Sequence, residues 1–250
     1  MQQRQLADTQ FSASATAYLD SAVHARGPDL ERLQALGAAA ALDLGCGAGH
    51  ASFALARGGA RRVVAYDLSA AMLDVVTREA GVRGHGGIET CLGSTESLPF
   101  AANSFDCVVT RYSAHHWLDV PLALGEATRV LRPGGKMVII DVVAPEAPLL
   151  DTILQTVEFL RDAAHVRNYR DSEWTRMLAA AGQTAITLER WKIALEFGSW
   201  VRRIATPAAR VDALHAVFAA LPAEARDYFE VGADHSFSSD VSWIESAKPN

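Results

Sequence analysis

Leu42-Asp43-Leu44-Gly45-Cys46-Gly47-Ala48-Gly49 is the stretch that decides the fold. An apolar run, Ala39 to Leu44, leads into it, and a helical pattern from Gly49 to Arg57 follows. Glycine at 45, 47 and 49 lets the chain turn sharply and lets a ligand approach the backbone. A strand–glycine turn–helix unit sets backbone N–H groups and a helix N-terminus toward that ligand. The spacing is GxGxG, not the GxGxxG of dinucleotide binders, and Asp43 ahead of the first glycine is foreign to that fingerprint. A carboxylate there can reach the amino group of an amino-acid-like ligand.

Outward from this turn, strands alternate with helices. Arg62–Tyr66 reads as a second strand, with Asp67 at its tip. An acid at that place can accept from both hydroxyls of a ribose. A helix follows over 69–80 with Ser69 as N-cap. Ile88–Leu92 and Phe105–Thr110 read as strands, Leu122–Val130 as a helix, Arg132–Gly135 as a breaker and Lys136–Val143 as a fifth strand. This order predicts a doubly wound α/β fold with a mostly parallel sheet. Beyond Pro148, helices are expected over 149–163, 172–181, 207–221 and 223–229, with strands over 185–197 and 242–247. The expected organisation is one domain, 1–250, with a ligand-binding core over 30–145. Segments 1–29, 149–180 and 198–230 are candidate lid pieces on the substrate side.

LDLGCGAGH (42–50), AYDLS (65–69) with Met72, GSTESLPFAANSFDCV (93–108) and LRPGGKMVI (131–139) resemble, in order, the motifs of class I S-adenosylmethionine (SAM) dependent methyltransferases. The small-molecule group that shares its domain with the ubiquinone/menaquinone C-methyltransferases is the most similar. The resemblance implies a seven-stranded Rossmann-like sheet and SAM as cofactor, with S-adenosylhomocysteine (SAH) as product. Asp43, Gly45 and Gly47 would hold the methionine part, Asp67 the ribose, and Leu68 would lie against adenine. Thr95 and Glu96 stand where the family contacts adenine, and Ser94 stands where many members carry Asp. Cys46 and Met72 belong to the same cofactor-binding set. Arg111 would bring its backbone near the methionine end, and Phe11 and Tyr18 match an N-terminal helix that closes over the cofactor.

His115 and His116 follow the fourth strand, in Arg111-Tyr112-Ser113-Ala114-His115-His116-Trp117. Ligands of open α/β sheets sit outside the carboxyl ends of strands, and histidine accepts protons near neutral pH. Both are therefore candidate catalytic bases, with local packing as the plainer alternative. Tyr112, His165, Arg167 and Tyr169 are candidate substrate contacts, able to read a carboxylate or a ring. For the last three, and for Trp174, amphipathic packing is again the plainer reading. Arg202 and Arg203 read as a solvated helix face.

Composition bounds the partners. Of 250 residues, 50% are hydrophobic and 21% charged, with a net charge of -6. An acidic chain disfavours a nucleic-acid partner. No run is long and apolar enough for membrane insertion, and Met1–Thr9 is polar, unlike a signal peptide. Cys46, Cys91 and Cys107 form no zinc or CxxC pattern, so no metal is expected and the thiols fit a cytoplasmic protein, which the family resemblance implies to be bacterial. A small-molecule acceptor is the expected substrate, by direct displacement at a C, O or N nucleophile, and a homodimer is admitted. The alternatives kept open are a SAM-binding regulatory or assembly protein without turnover and, through the glycine turn, a NAD(P) enzyme.

Overall fold

The computed structural model describes residues 2–19 and 25–250. Short apolar runs form β1 (Ala40–Leu44), β2 (Arg62–Asp67), β3 (Ile88–Leu92) and β4 (Phe105–Arg111). Three longer strands, β5 (Leu131–Val142), β6 (Thr184–Leu195) and β7 (Phe237–Ala247), complete one seven-stranded sheet in the order β3-β2-β1-β4-β5-β7-β6. β1 to β5 run parallel, and β7 is antiparallel to both β5 and β6. The strand order reverses between β1 and β4, and a crevice at such a switch point is where open α/β sheets bind ligands.

The helices are α1 (Gln3–Leu19), α2 (Pro28–Gln34), α3 (His50–Arg57), α4 (Ala70–Arg83) and α5 (Val120–Val130), followed by α6 (Pro148–Arg161), α7 (Asp171–Ala180), α8 (Phe197–Arg202), α9 (Ala208–Ala219) and α10 (Ala223–Tyr228). Strand alternation divides the core between the two faces. Leu42, Leu44, Val64 and Tyr66 pack with α5 and with Trp174 and Leu178 of α7. Ala41, Val63 and Val109 pack with α2 and α3 on the other side. On α5, Val120, Ala123, Leu124, Ala127 and Val130 are buried at the i, i+3, i+4, i+7 spacing that makes one apolar stripe. Asp119 caps its start by accepting from Leu122 N at 2.9 Å, with Pro121 in the first turn, so the helix begins two residues before the apolar pattern predicts.

Three expectations change. The Arg132–Gly135 breaker does not separate helix from strand: Leu131 already pairs with Phe105, and the register shifts before Cys107 meets Lys136. The Pro-Gly stretch therefore acts as an irregularity inside β5. β7 starts at Phe237, not Ser242, and buries Ser238, Ser239, Asp240 and Ser242. Its polar residues hide a strand from a hydrophobic-pattern reading, because both faces are covered here. Within the expected lid, α7 instead packs against β6 and α5 as part of the sheet layer. α6 and α8–α10, here termed the cap, share one hydrophobic cluster with the ends of the sheet, formed by Leu154, Val157, Phe197, Trp200, Leu214, Phe218 and Phe237. The cap lies where β5 and β6 end and β7 begins, at the carboxyl edge of the parallel strands. Of the expected 1–29 segment, residues 1 and 20–24 lie outside the described residues. Among the described residues no helix is long and apolar enough to cross a membrane.

Ser69 caps α4 as the sequence predicts, accepting from Met72 N at 3.3 Å, and its hydroxyl also meets Ser12 Oγ of α1 at 2.8 Å. Ser69→Ala is expected to destabilise the protein by about 1 kcal/mol, a fall in Tm of roughly 2–4 °C for a chain of this size. A thermal melt with an unchanged midpoint would remove the cap from the account.

Candidate active site

The glycine turn is held to the end of β2 before anything can bind it. Gly45 N and Cys46 N both donate to Tyr66 O, at 2.8 and 3.1 Å, and Gly47 N donates to Asp67 Oδ2 at 2.8 Å. These N–H groups were expected to face a ligand; the structure gives them to β2, since an N–H buried against a neighbouring strand needs an acceptor at once. Gly45 has φ +65°, and a Cβ there would sit 1.8 Å from Ser113 Oγ. Gly47 has φ +51°, and a Cβ there would meet nothing within 4 Å. The first glycine permits close packing, and the second leaves open space above the turn.

That space is a cavity of about 1060 Å³, mouth included, at the carboxyl ends of β1, β2 and β4. Its lining brings together all thirteen residues expected to bind cofactor: Phe11, Tyr18, Asp43, Gly45, Cys46, Gly47, Asp67, Leu68, Met72, Ser94, Thr95, Glu96 and Arg111. Asp43 lies at the deep end, 1% exposed. Its Oδ2 accepts from Ser52 Oγ at 2.7 Å, while Oδ1 is buried with no partner among the described residues. Burial pushes its carboxyl up to about 6, against the pull of Ser52, with the charge of nearby Asp67 adding to the rise. Asp67 accepts from Gly47 N and, at 2.9 Å, from Ser69 N, and burial raises its carboxyl too. Each of its oxygens retains acceptor capacity.

The far wall is shaped by a residue the sequence reading passed over. Tyr66 Oη donates to Ser94 O at 3.1 Å and to Ser97 O at 3.3 Å, and Gly93 lies against that hydroxyl so closely that a Cβ would not fit. Glu96 lines the cavity, but its carboxylate is engaged elsewhere: Ser94 Oγ donates to it, Leu118 N lies at 3.2 Å, and Arg4 of α1 at 3.3 Å. Burial alone would raise this carboxyl; the hydrogen bonds and Arg4 hold it below its usual range. Glu96 thus ties α1 to the turn after β3. Arg111 is buried and forms an ion pair with Asp29 of α2. His50, also missed, has Nε2 3.2 Å from Tyr18 O and fastens the end of α1 over the cavity. Arg4, Asp8, Trp117 and Leu118 also line the cavity, and the sequence reading gave them no role there.

The two adjacent histidines diverge. His115 Nδ1 is 2.6 Å from Asp141 Oδ1, and its backbone N donates to Oδ2 of the same carboxylate at 3.2 Å. Burial would lower its pKa, but Asp141 outweighs burial and raises it. His116 is pushed down to about 4, by burial first and then by His115, whose ring centroid is 4.1 Å away. Its Nδ1 lies 3.2 Å from Ala164 O. A carbonyl only accepts, so Nδ1 carries the proton and Nε2 keeps a lone pair. Phe11 packs edge-on against this ring at 4.8 Å.

A second chamber of about 510 Å³, mouth included, adjoins the first. Tyr18, Tyr112 and His116 line both, whereas His115 lines only the second. Tyr112 holds a left-handed backbone, φ +52°, unusual for a bulky residue and typical of functional turns. The remaining substrate candidates line neither space. His165 is buried with Nε2 3.0 Å from Gln155 Oε1, Arg167 reaches Glu173 at 3.2 Å and Asp151 at 3.4 Å, and Tyr169 packs edge-on against Trp174 at 5.5 Å. They staple α6 to α7, so long-range packing places them behind the wall rather than in it. Among the described residues no group of three or more His, Cys, Asp or Glu could hold a metal.

Comparisons with known proteins agree with this geometry. Residues 42–139 match a family described as a methyltransferase domain. The YafE protein of Escherichia coli (strain K12) is 48% identical over 186 residues, 74% of this chain and 90% of its own length. YcgJ of Bacillus subtilis (strain 168), named as a methyltransferase, is 34% identical over 226 residues, 89% of each chain. Its crystal structure superposes with a TM-score of 0.84, covering 91% of this chain and 99% of YcgJ. A ubiquinone/menaquinone biosynthesis C-methyltransferase of Hahella chejuensis is 34% identical over 124 residues, about half of either chain (48% and 50%). With the ordered motifs and the seven-stranded sheet, these likenesses place the chain in the family of S-adenosylmethionine-dependent methyltransferases.

Proposed function

We propose that this enzyme methylates a small molecule held in the second chamber, with SAM in the first and His116 receiving the proton that the acceptor loses. The observation that carries this reading is the shared wall: Tyr18, Tyr112 and His116 belong to both spaces, so cofactor and acceptor meet there. The first cavity suits SAM. The unpartnered Asp43 Oδ1 calls for a donor such as an ammonium group, and the open space over Gly47 admits a ligand against the backbone. Asp67 would hold the ribose hydroxyls, with Leu68 and Met72 as apolar wall for the adenine. SAM supplies a methyl group on a positively charged sulfur. The chain's own part is to position, exclude water and hold the proton. The α1 helix, fastened through Glu96 and His50, covers the cavity. His116 stays neutral at physiological pH, with its lone pair available to a carbon, oxygen or nitrogen acid. His115, paired with Asp141, orients the turn that carries it.

Three outcomes test these roles. Asp67→Ala should weaken SAH binding at least about tenfold, the loss of charge-assisted bonds to one group; calorimetry showing unchanged affinity would refute the ribose assignment. SAH affinity should fall as pH drops through about 6, because protonation of Asp43 competes with its contact to the ammonium group. Asp43→Asn should bind more weakly and lose most of that dependence, which separates Asp43 from Asp67. A flat affinity between pH 7 and 5 in the parent protein would count against the contact. His116→Gln should lower kcat about 100-fold or more, the usual worth of a positioned base, with SAH affinity within about threefold. Full turnover in that variant would dismiss His116 as the base.

A further inference from the structure

We infer that the second chamber is built for an acceptor bearing a single carboxylate, gripped by Arg161 and Arg203. The inference rests on the methyl-transfer reading above and adds to it the class of substrate.

Arg161 closes α6 and is 8% exposed. Its Nε donates to Trp200 O at 3.0 Å, and its Nη1 stands 3.9 Å from Glu158 Oε2. Its Nη2 is buried and has no hydrogen-bond partner among the described residues. An orphaned buried guanidinium N–H, here on a residue that lines the chamber, is a costly arrangement unless a ligand completes it. Arg203, at the end of α8, lines the same chamber and turns inward, unlike the exposed Arg202 beside it. The solvated face expected of this pair is real only for Arg202. Arg203 faces Arg161, Tyr18 and Glu158, and among the described residues no carboxylate lies within ion-pair distance of it. Two guanidiniums thus converge with one donor unused.

The surrounding charges decide how much negative charge is wanted. Burial raises the Glu158 carboxyl, while burial would lower His115 and the adjacent Asp141 carboxylate raises it. Two guanidiniums, Arg161 and Arg203, line the chamber with one carboxylate, Glu158, while His115 is paired with Asp141 behind it. One positive charge is left over, which a monoanion cancels and a phosphate dianion overshoots. A carboxylate also matches the planar fork of arginine. Trp200, Val142 and Leu195 supply an apolar wall for the body of the acceptor. His116, in the wall shared with the cofactor cavity, lines the same chamber as the two arginines.

The test uses the full chain saturated with SAH and ligand-observed NMR titration of benzoate, benzamide and phenyl phosphate. Benzoate should bind at least tenfold more tightly than the isosteric, uncharged benzamide, and more tightly than phenyl phosphate. Arg203→Gln should abolish the preference for benzoate over benzamide while leaving the Kd for SAH within twofold. Arg161 holds a backbone carbonyl and its loss can unfold the cap, so the half-buried Arg203 is the informative variant. No binding of benzoate, equal binding of benzoate and benzamide, selectivity retained in Arg203→Gln, or tighter binding of phenyl phosphate would each overturn the proposal. The SAH titration is read separately: benzoate selectivity without SAH binding would support the anion chamber and count against the methyl-transfer reading alone.

Discussion

The Asp67 carboxylate holds the binding edge together. It accepts from Gly47 in the turn after β1 and from Ser69 at the start of α4, so one side chain joins the turn after β1 to the turn after β2. Tyr66, its neighbour, does the complementary work with its backbone carbonyl on Gly45 and Cys46 and its hydroxyl on the turn after β3. Three loops at the ends of β1, β2 and β3 are thereby fixed by two consecutive residues of β2. A site assembled this way is organised before ligand arrives, and preorganisation reduces what binding must spend on ordering.

The same edge carries several buried charges, and their pairing divides the labour. Arg111 is matched by Asp29 and His115 by Asp141, so these charges are compensated in place. Asp43 is raised by burial and, further, by the charge of Asp67, and it has one oxygen unsatisfied. A buried carboxylate with no cation of its own is strained in the free protein and relieved by a cationic ligand. His116 owes its low basicity first to burial and then to His115, whose own pKa Asp141 raises. Asp141 in β5 therefore influences the ring at the shared wall without touching it.

How much of this was legible in the sequence follows from the range of the interactions. Gly45, Gly47, Asp43 and Asp67 are readable because each acts within a strand and the turn that follows it, and local spacing is what sequence displays. All expected cofactor contacts do line one cavity. Glu96 shows the limit: its position was legible, but its engagement with Ser94, Arg4 and Leu118 depends on where α1 lies. The β7 start was hidden by Ser238, Ser239 and Asp240, because polar residues between two strands give no hydrophobic alternation.

The substrate side was least legible for a related reason. Arg167 and Tyr169 carry the chemistry a substrate site needs, yet Asp151, Glu173 and Trp174 take them up in the contact between α6 and α7. Arg161 and Arg203 come from different helices and face one chamber only because the apolar side chains of α6, α8 and α9 pack into a common core. Side-chain type cannot tell a paired cation from an unpaired one. The cap does, since it brings carboxylates to Arg167 and withholds a full complement from Arg161. The packing of the cap thus shapes the second chamber, while the sheet edge shapes the first.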